Sequence, residues 1–149
     1  MTKASDLMTK NPAVSTPDMN LTKVAKLMAD HNVGAIPVVE NKDSGKLVGI
    51  VTDRDIAVRC VAEGRNPEDV RAGDIMSTSV VTVREDADVD EITRVMEKNM
   101  IRRVPVLDNM GSICGIVAQA DVALHAPNSM TGDTVEKISK PTSRPSNVD

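Results

Sequence analysis

Gly49-Ile50-Val51-Thr52-Asp53-Arg54-Asp55 and its later relative Gly115-Ile116-Val117-Ala118-Gln119-Ala120-Asp121 decide the reading of this chain, because together they expose an internal repeat. Laid on itself, the sequence places Asp6 on Asp74, Met8 on Met76, Asp18 on Asp86, Met28 on Met96 and Pro37-Val38 on Pro105-Val106. After a shorter turn in the second copy, Gly45 meets Gly111 and the two quoted stretches coincide. Self-similarity at a fixed spacing marks two copies of one supersecondary unit.

Within each copy the hydrophobic period changes in the same order. A short β-prone stretch, 13–16 or 80–83, gives way to a helical spacing: Leu21, Val24, Ala25 and Met28 in the first copy, Val89, Ile92 and Met96 in the second. Each helix is therefore predicted to bury one face, the first opening at Asn20 and the second at the box-like Asp88-Val89-Asp90-Glu91. Next come Ile36-Pro37-Val38-Val39 and Val104-Pro105-Val106-Leu107, a turn ending at Gly45 or Gly111, and the strands 47–51 and 113–117, which read as hairpins. The prolines are expected at the first residue of their strands or on an edge, since they cannot donate to a ladder. A second helix is predicted from Thr52 to about Glu63, stopped by Gly64. The shared pattern is β-α-β-β-α. Repeat one spans 4–64, a linker with one helical turn at Asn66-Pro67-Glu68-Asp69 covers 65–73, repeat two spans 74–125, and 126–149 is a polar, partly disordered tail.

Composition limits the function classes. The 149 residues are 40% apolar and 27% charged, with no Phe, Tyr or Trp, so Val, Ile, Leu, Ala and nine Met must fill the core. Without aromatic platforms and with a net charge of -4, the chain is a poor candidate for nucleic acid. No stretch has the run of roughly 18 apolar residues a membrane span needs, and the N-terminus lacks a signal-like apolar region, so the expected address is cytoplasmic. Cys60 and Cys114 sit in apolar stretches and read as small hydrophobes of a reducing compartment. His31 and His125 stand at helix ends, where the dipole accounts for them, and no set of ligands implies a metal.

Two copies of β-α-β-β-α, each with an apolar-Pro-Val strand entry and a Gly-Ile-Val-x-x-x-Asp exit, resemble a tandem pair of CBS (cystathionine beta-synthase) domains over Ala4 to about Leu124. Gly49 to Asp55 closely matches that family's ligand motif, Gly-h-x-[Ser/Thr]-x-x-Asp. The resemblance implies an α/β (α+β) fold of two repeats about a pseudo-twofold axis, with clefts between them for an adenosine-containing ligand (AMP, ADP, ATP or S-adenosylmethionine). By that analogy Asp55 and Asp121 hold ribose and Thr52 adds a hydroxyl contact to ribose or phosphate. Ala35-Ile36-Pro37-Val38 and Arg103-Val104-Pro105-Val106 line the adenine slot. A carboxylate at a helix start suits ribose hydroxyls, and the helix's positive end favours a phosphate.

The same residues also read as caps, with Thr52 the N-cap and Asp55 reaching back. Ala118 lacks the capping hydroxyl and departs from the family motif, so site one is expected to be the stronger. Arg102-Arg103, at the positions that Gly34-Ala35 hold in copy one, are candidate phosphate ligands, and Arg54 is a weaker one. Asp53/Asp55 and Asp88/Asp90 read as helix-start residues, with no catalytic constellation and no required cofactor. The expected function is a non-catalytic regulatory module signalling to an unknown protein in trans. A ligand-free homodimeric scaffold is the alternative, and an enzyme acting on a nucleotide a third reading. By analogy the chain is a homodimer, with Ile56, Val58, Val61, Val122 and Leu124 as a candidate face.

Overall fold

Side chains that satisfy the first free amides fix where the long helices begin. In the computed structural model, which describes residues 1–124, Asn20 Oδ1 accepts from Lys23 N at 2.9 Å and opens α2 (Leu21–His31). Asp88 Oδ1 accepts from Glu91 N at 2.8 Å and opens α5 (Val89–Asn99). Both helices stop at a left-handed residue, Asn32 and Met100. Leu21, Val24 and Met28 are buried, as are Val89, Ile92 and Met96. Ala25 is exposed, so the apolar stripe of α2 is narrower than its spacing predicted. His125 and the 126–149 tail lie outside the described residues.

Each long helix is followed by an antiparallel hairpin. In the first copy β2 (Ala35–Val39) pairs with β3 (Leu47–Thr52), in a register that sets Ala35 opposite Thr52 and Pro37 opposite Ile50. In the second, β5 (Arg103–Leu107) pairs with β6 (Ile113–Ala118), setting Arg103 opposite Ala118 and Pro105 opposite Ile116. The turns end at Gly45 and Gly111, whose φ of 64° and 80° need glycine.

The prolines occupy the middle of their strands, not the first residue; β2 is an edge of its two-stranded sheet, as expected for Pro37, whereas β5 of Pro105 lies between two strands. The hydrogen bonds explain why this is tolerated. The carbonyl of Pro37 faces Ser15, accepting from Ser15 N at 2.9 Å, while Val39 N donates to Ser15 O at 2.8 Å. Pairing on that side begins at the proline's own carbonyl, so its missing N–H falls just before the ladder starts. Pro105 is placed alike: the parallel pairing of β5 with β4 (Val83–Arg84) starts at Val106.

The described residues gather into two units, one of Met1–Pro12 with residues 81 onward, the other of Ala13–Val80. These units are offset from the repeats drawn on the sequence. Residues 4–12 lie in the unit of the second hairpin, because β1 (Thr9–Lys10) pairs with the edge of β6 through Thr9 and Ile116. Residues 74–80 lie in the unit of the first hairpin, because Ser77 and Ile50 exchange backbone hydrogen bonds at 2.9 and 3.0 Å. Each added segment covers a strand edge that would otherwise be unpaired. The one sheet has the order β1-β6-β5-β4, and the other keeps its outer pairings as single bridges at Ser15 and Ser77.

Each added segment begins on a short helix: α1 (Ala4–Leu7) and α4 (Ala72–Ile75). Ala4 and Leu7 are buried in one core, and Val70, Ala72 and Ile75 in the other. The stretch drawn as a linker is therefore partly core, although its Asn66–Asp69 turn forms as predicted. The second helix also differs: α3 (Asp53–Ile56) widens into a π-helical turn over Ala57–Val61 before Gly64 (φ 70°). α6 (Gln119–Ala123) follows β6.

The methionines of the added segments explain the motif glycines. A Cβ on Gly49 would stand 2.9 Å from Met76 Cγ and 3.0 Å from the Ser77 carbonyl oxygen. On Gly115 it would fall 2.6 and 2.9 Å from Met8 Cγ and Cβ. Gly115→Ala is expected to destabilise the protein by about 1–3 kcal/mol, and Gly49→Ala similarly, through overpacking. In urea denaturation, Gly115→Ala combined with Met8→Ala should lose less than the sum of the two single changes.

Candidate functional site

Thr52 is both the last residue of β3 and the N-cap of α3, so the strand enters the helix without a loop. Asp55 Oδ2 accepts from Thr52 N at 2.9 Å, and Thr52 Oγ1 accepts from Asp55 N at 3.1 Å. Asp53 N donates to the Gly34 carbonyl at 2.9 Å, which ties the helix start to the residue before β2. Thr52 is fully buried and Asp55 is 4% exposed. The register therefore brings Ala35 and Ile36 beside Thr52, all within the unit of Ala13–Val80. Ile36, Pro37 and Val38 are buried along the strand, so Ile36 and Val38 serve the core as well as the edge of this region.

The second copy repeats the backbone arrangement without the hydroxyl. Asp121 Oδ2 accepts from Ala118 N at 2.8 Å, and Gln119 N donates to the Arg102 carbonyl at 2.7 Å. Asp121 is half-buried. Arg103 opens β5 opposite Ala118, and Val104, Pro105 and Val106 are buried behind it. Arg102 and Arg103 are both half-buried, unlike a solvated pair, and Arg102 Nε has no hydrogen-bond partner among the described residues. Arg54, by contrast, is exposed at the start of α3.

The cap geometry is not peculiar to these two positions. Asp6 Oδ2 accepts from Lys3 N and Asp74 Oδ2 from Arg71 N, each at 2.9 Å, at the starts of α1 and α4. Both of those carboxylates are exposed. Burial and the reciprocal threonine hydroxyl, not the cap itself, distinguish Asp55. One more group reaches it: Arg59 Nε lies 3.9 Å from Asp55 Oδ1, a contact the sequence reading did not single out, although the four-residue spacing on a helix was its signal.

A second feature escaped the sequence. A polar cavity of about 570 Å³ opens in the unit of Ala13–Val80. It is lined by three cations (Lys23, Lys42, Arg71) and three carboxylates (Asp18, Glu68, Asp69). The Thr16 hydroxyl foremost, with Arg71 and Lys23 nearby, holds the Asp18 carboxyl below the usual carboxylate range. None of the residues predicted for the site lines it, and segments so distant in sequence gave no local signal.

Among the described residues no group of three or more His, Cys, Asp or Glu is placed to hold a metal ion, and no helix is long and apolar enough to cross a membrane. Cys60 is buried. Cys114 is half-buried, its Sγ 4.0 Å from Met8 Sδ, and burial, followed by Glu85 and Asp108, pushes its thiol up. Of the candidate dimer face, Val58, Val61 and Leu124 are exposed, whereas Val122 is buried in the core.

The family profile of the CBS domain matches residues 4–61 and 72–127. The chain is 37% identical over 140 residues to the CBS domain-containing protein YhcV of Bacillus subtilis, spanning 93% of this chain and 96% of that one. It is 38% identical over 107 residues, 72% of this chain, to the protein MK0525 of Methanopyrus kandleri, of whose length it spans about half, 54%. Among solved structures, Hypoxic Response Protein I with two coordinated zinc ions superposes with a TM-score of 0.76 at 34% identity, covering 85% of this chain and 100% of that one. The CBS domain pair of MJ0100, in complex with 5-methylthioadenosine and S-adenosyl-L-methionine, gives 0.71 at 32% identity, with 83% and 94% covered. CBSX2 of Arabidopsis thaliana in complex with AMP gives 0.70 at 25% identity, with 83% and 95% covered.

Two outcomes follow from the geometry. Thr52→Ala should lower the unfolding free energy by about 1 kcal/mol, while Ala118→Thr, which supplies the absent hydroxyl, should raise it by up to about 1 kcal/mol in chemical denaturation. A raised thiol pKa leaves little thiolate at neutral pH, so a thiol reagent should modify native Cys114 slowly at pH 7 and rapidly once urea unfolds the chain.

Proposed function

The chain belongs to the CBS domain family, and from that premise we propose that it is a non-catalytic regulatory module that binds an adenosine-containing nucleotide and signals to a partner protein in trans. The observation that carries this reading is the buried Asp55 carboxylate at the start of α3, beside Thr52 and the entry of β2. One of its oxygens is committed to the Thr52 amide, but an ionised carboxylate has about four lone-pair sites. It can accept ribose hydroxyls while keeping its cap. The apolar entry Ala35 to Val38 supplies a flat wall and backbone groups for adenine. Thr52 adds a hydroxyl near ribose or phosphate.

Asp121 with Arg103 to Val106 forms the weaker counterpart, because Ala118 brings no hydroxyl. Arg102 and Arg103 are the phosphate ligands in this reading, since Arg102 Nε, buried without a partner among the described residues, gains from an anion, and Arg103 stands next to it in the chain. Arg54, being exposed, contributes at most through long-range charge. The complexes of MJ0100 with S-adenosyl-L-methionine and of CBSX2 with AMP support the ligand class. Regulation requires that the ligand favour one of two conformations of the module. The exposed Val58, Val61 and Leu124 fit a homodimer contact, and a cytoplasmic protein is the natural host of such a sensor.

A ligand-free scaffold is the second reading, and one observation favours it: the carboxylate cap of Asp55 recurs at Asp6 and Asp74, outside any ribose motif. Titration calorimetry with AMP, ATP and S-adenosylmethionine separates the two. The proposal expects saturable binding of at least one ligand, weakened most in Asp55→Ala, with Asp121→Ala having the smaller effect. Absence of binding to the wild type transfers the motif to the scaffold reading. Light scattering at working concentration is expected to give a dimer mass, and a monodisperse monomer contradicts that part.

A further inference from the structure

Arg59 is engaged through two nitrogens of its guanidinium although half of its side chain is exposed (51%). Nε faces Asp55 Oδ1 at 3.9 Å, and Nη1 donates to the Ile75 carbonyl at 2.9 Å, sixteen residues along the chain. Ile75 closes α4, a helix of four residues whose last carbonyls have no partners within it. Arg59 also sits in the π-helical turn Ala57–Val61, closed by Ala62 N donating to Ala57 O at 2.8 Å. Such turns are rare and concentrate at functional positions. With the arginine half exposed and 3.9 Å from the carboxylate, the pair contributes little to stability, so the two contacts bear chiefly on Asp55.

Oδ2 of Asp55 is tied to the Thr52 amide and Oδ1 faces an anchored guanidinium, so both carboxylate oxygens have a neighbour before any ligand arrives. From this we infer that Arg59 is a positioning residue for ribose: it orients Asp55 Oδ1 and links the occupied site to the 72–80 segment. That segment supplies Met76 and Ser77, which close the edge of β3. The inference rests on the reading that Asp55 receives ribose. A lysine keeps the charge but lacks the fork that spans two acceptors.

The test is calorimetry of the wild type, Arg59→Ala, Arg59→Lys, Asp55→Ala and the Arg59→Ala/Asp55→Ala double variant with AMP, adenosine and S-adenosylmethionine. Thermal melts accompany each, and Asp55→Asn replaces Asp55→Ala if the latter does not fold. Arg59→Ala should weaken every ligand that the wild type binds by about tenfold, Arg59→Lys by less, and the double variant should bind no more weakly than Asp55→Ala. Equal losses for adenosine and AMP mark an action through Asp55. A loss confined to AMP makes Arg59 a direct phosphate ligand and overturns the inference. So do additive losses in the double variant, or unchanged affinity in Arg59→Ala where Asp55→Ala is weakened. Failure of the wild type to bind any of the three ligands overturns the ribose reading itself, and this inference with it.

Discussion

Strand β3 passes into α3 with no residue between them, and the site depends on how that junction is closed. A helix start leaves free amides, and a strand end leaves a carbonyl edge. Thr52 and Asp55 answer each other across the junction, and the Asp53 amide reaches the Gly34 carbonyl on the neighbouring chain entry. The helix therefore cannot rotate about the strand without breaking buried polar contacts, which a buried site punishes heavily. Asp55 is thereby held against Thr52, the residue opposite Ala35. In the second copy Asp121 caps the Ala118 amide without a reciprocal threonine hydroxyl, while Gln119 N again reaches the residue before the strand, the Arg102 carbonyl.

The two hairpins meet a further constraint at their outer edges. β3 and β6 each accept a short segment contributed from the other sequence repeat, through Ser77 at Ile50 and Thr9 at Ile116. Close approach of Met76 and Met8 leaves no room for a side chain at Gly49 or Gly115. Those glycines open the family's ligand motif, yet here their contacts are with methionines. On the opposite edges, Pro37 and Pro105 withhold a donor where the parallel pairing has not begun. Both edges of each hairpin are thus managed by residues whose chemistry suits only that place.

Much of this was legible in the sequence. The i, i+3, i+4 spacing located α2 and α5, their caps were readable at Asn20 and Asp88, and the turn glycines marked both hairpins. The dual character of Thr52 and Asp55, as cap and as candidate ligand, was also written locally. What stayed hidden is non-local or too short for a period to register. α1 and α4 have four residues each, and the pairings of Thr9 and Ser77 join positions far apart. The 65–73 stretch looked like a linker because its polar residues outnumber Val70 and Ala72, which are nevertheless core. Arg59 was passed over because its second anchor is a backbone carbonyl, which no residue type announces.

The central claim is that Asp55 takes its ligand by the ribose hydroxyls. Its most direct measurement compares, by calorimetry on the wild type, the AMP affinity with that of the 2′,3′-dideoxy analogue. The account predicts that removing both hydroxyls weakens binding by at least about tenfold, as expected when a buried carboxylate loses its donors. Equal affinity for the two nucleotides contradicts it and leaves Asp55 as a helix cap alone.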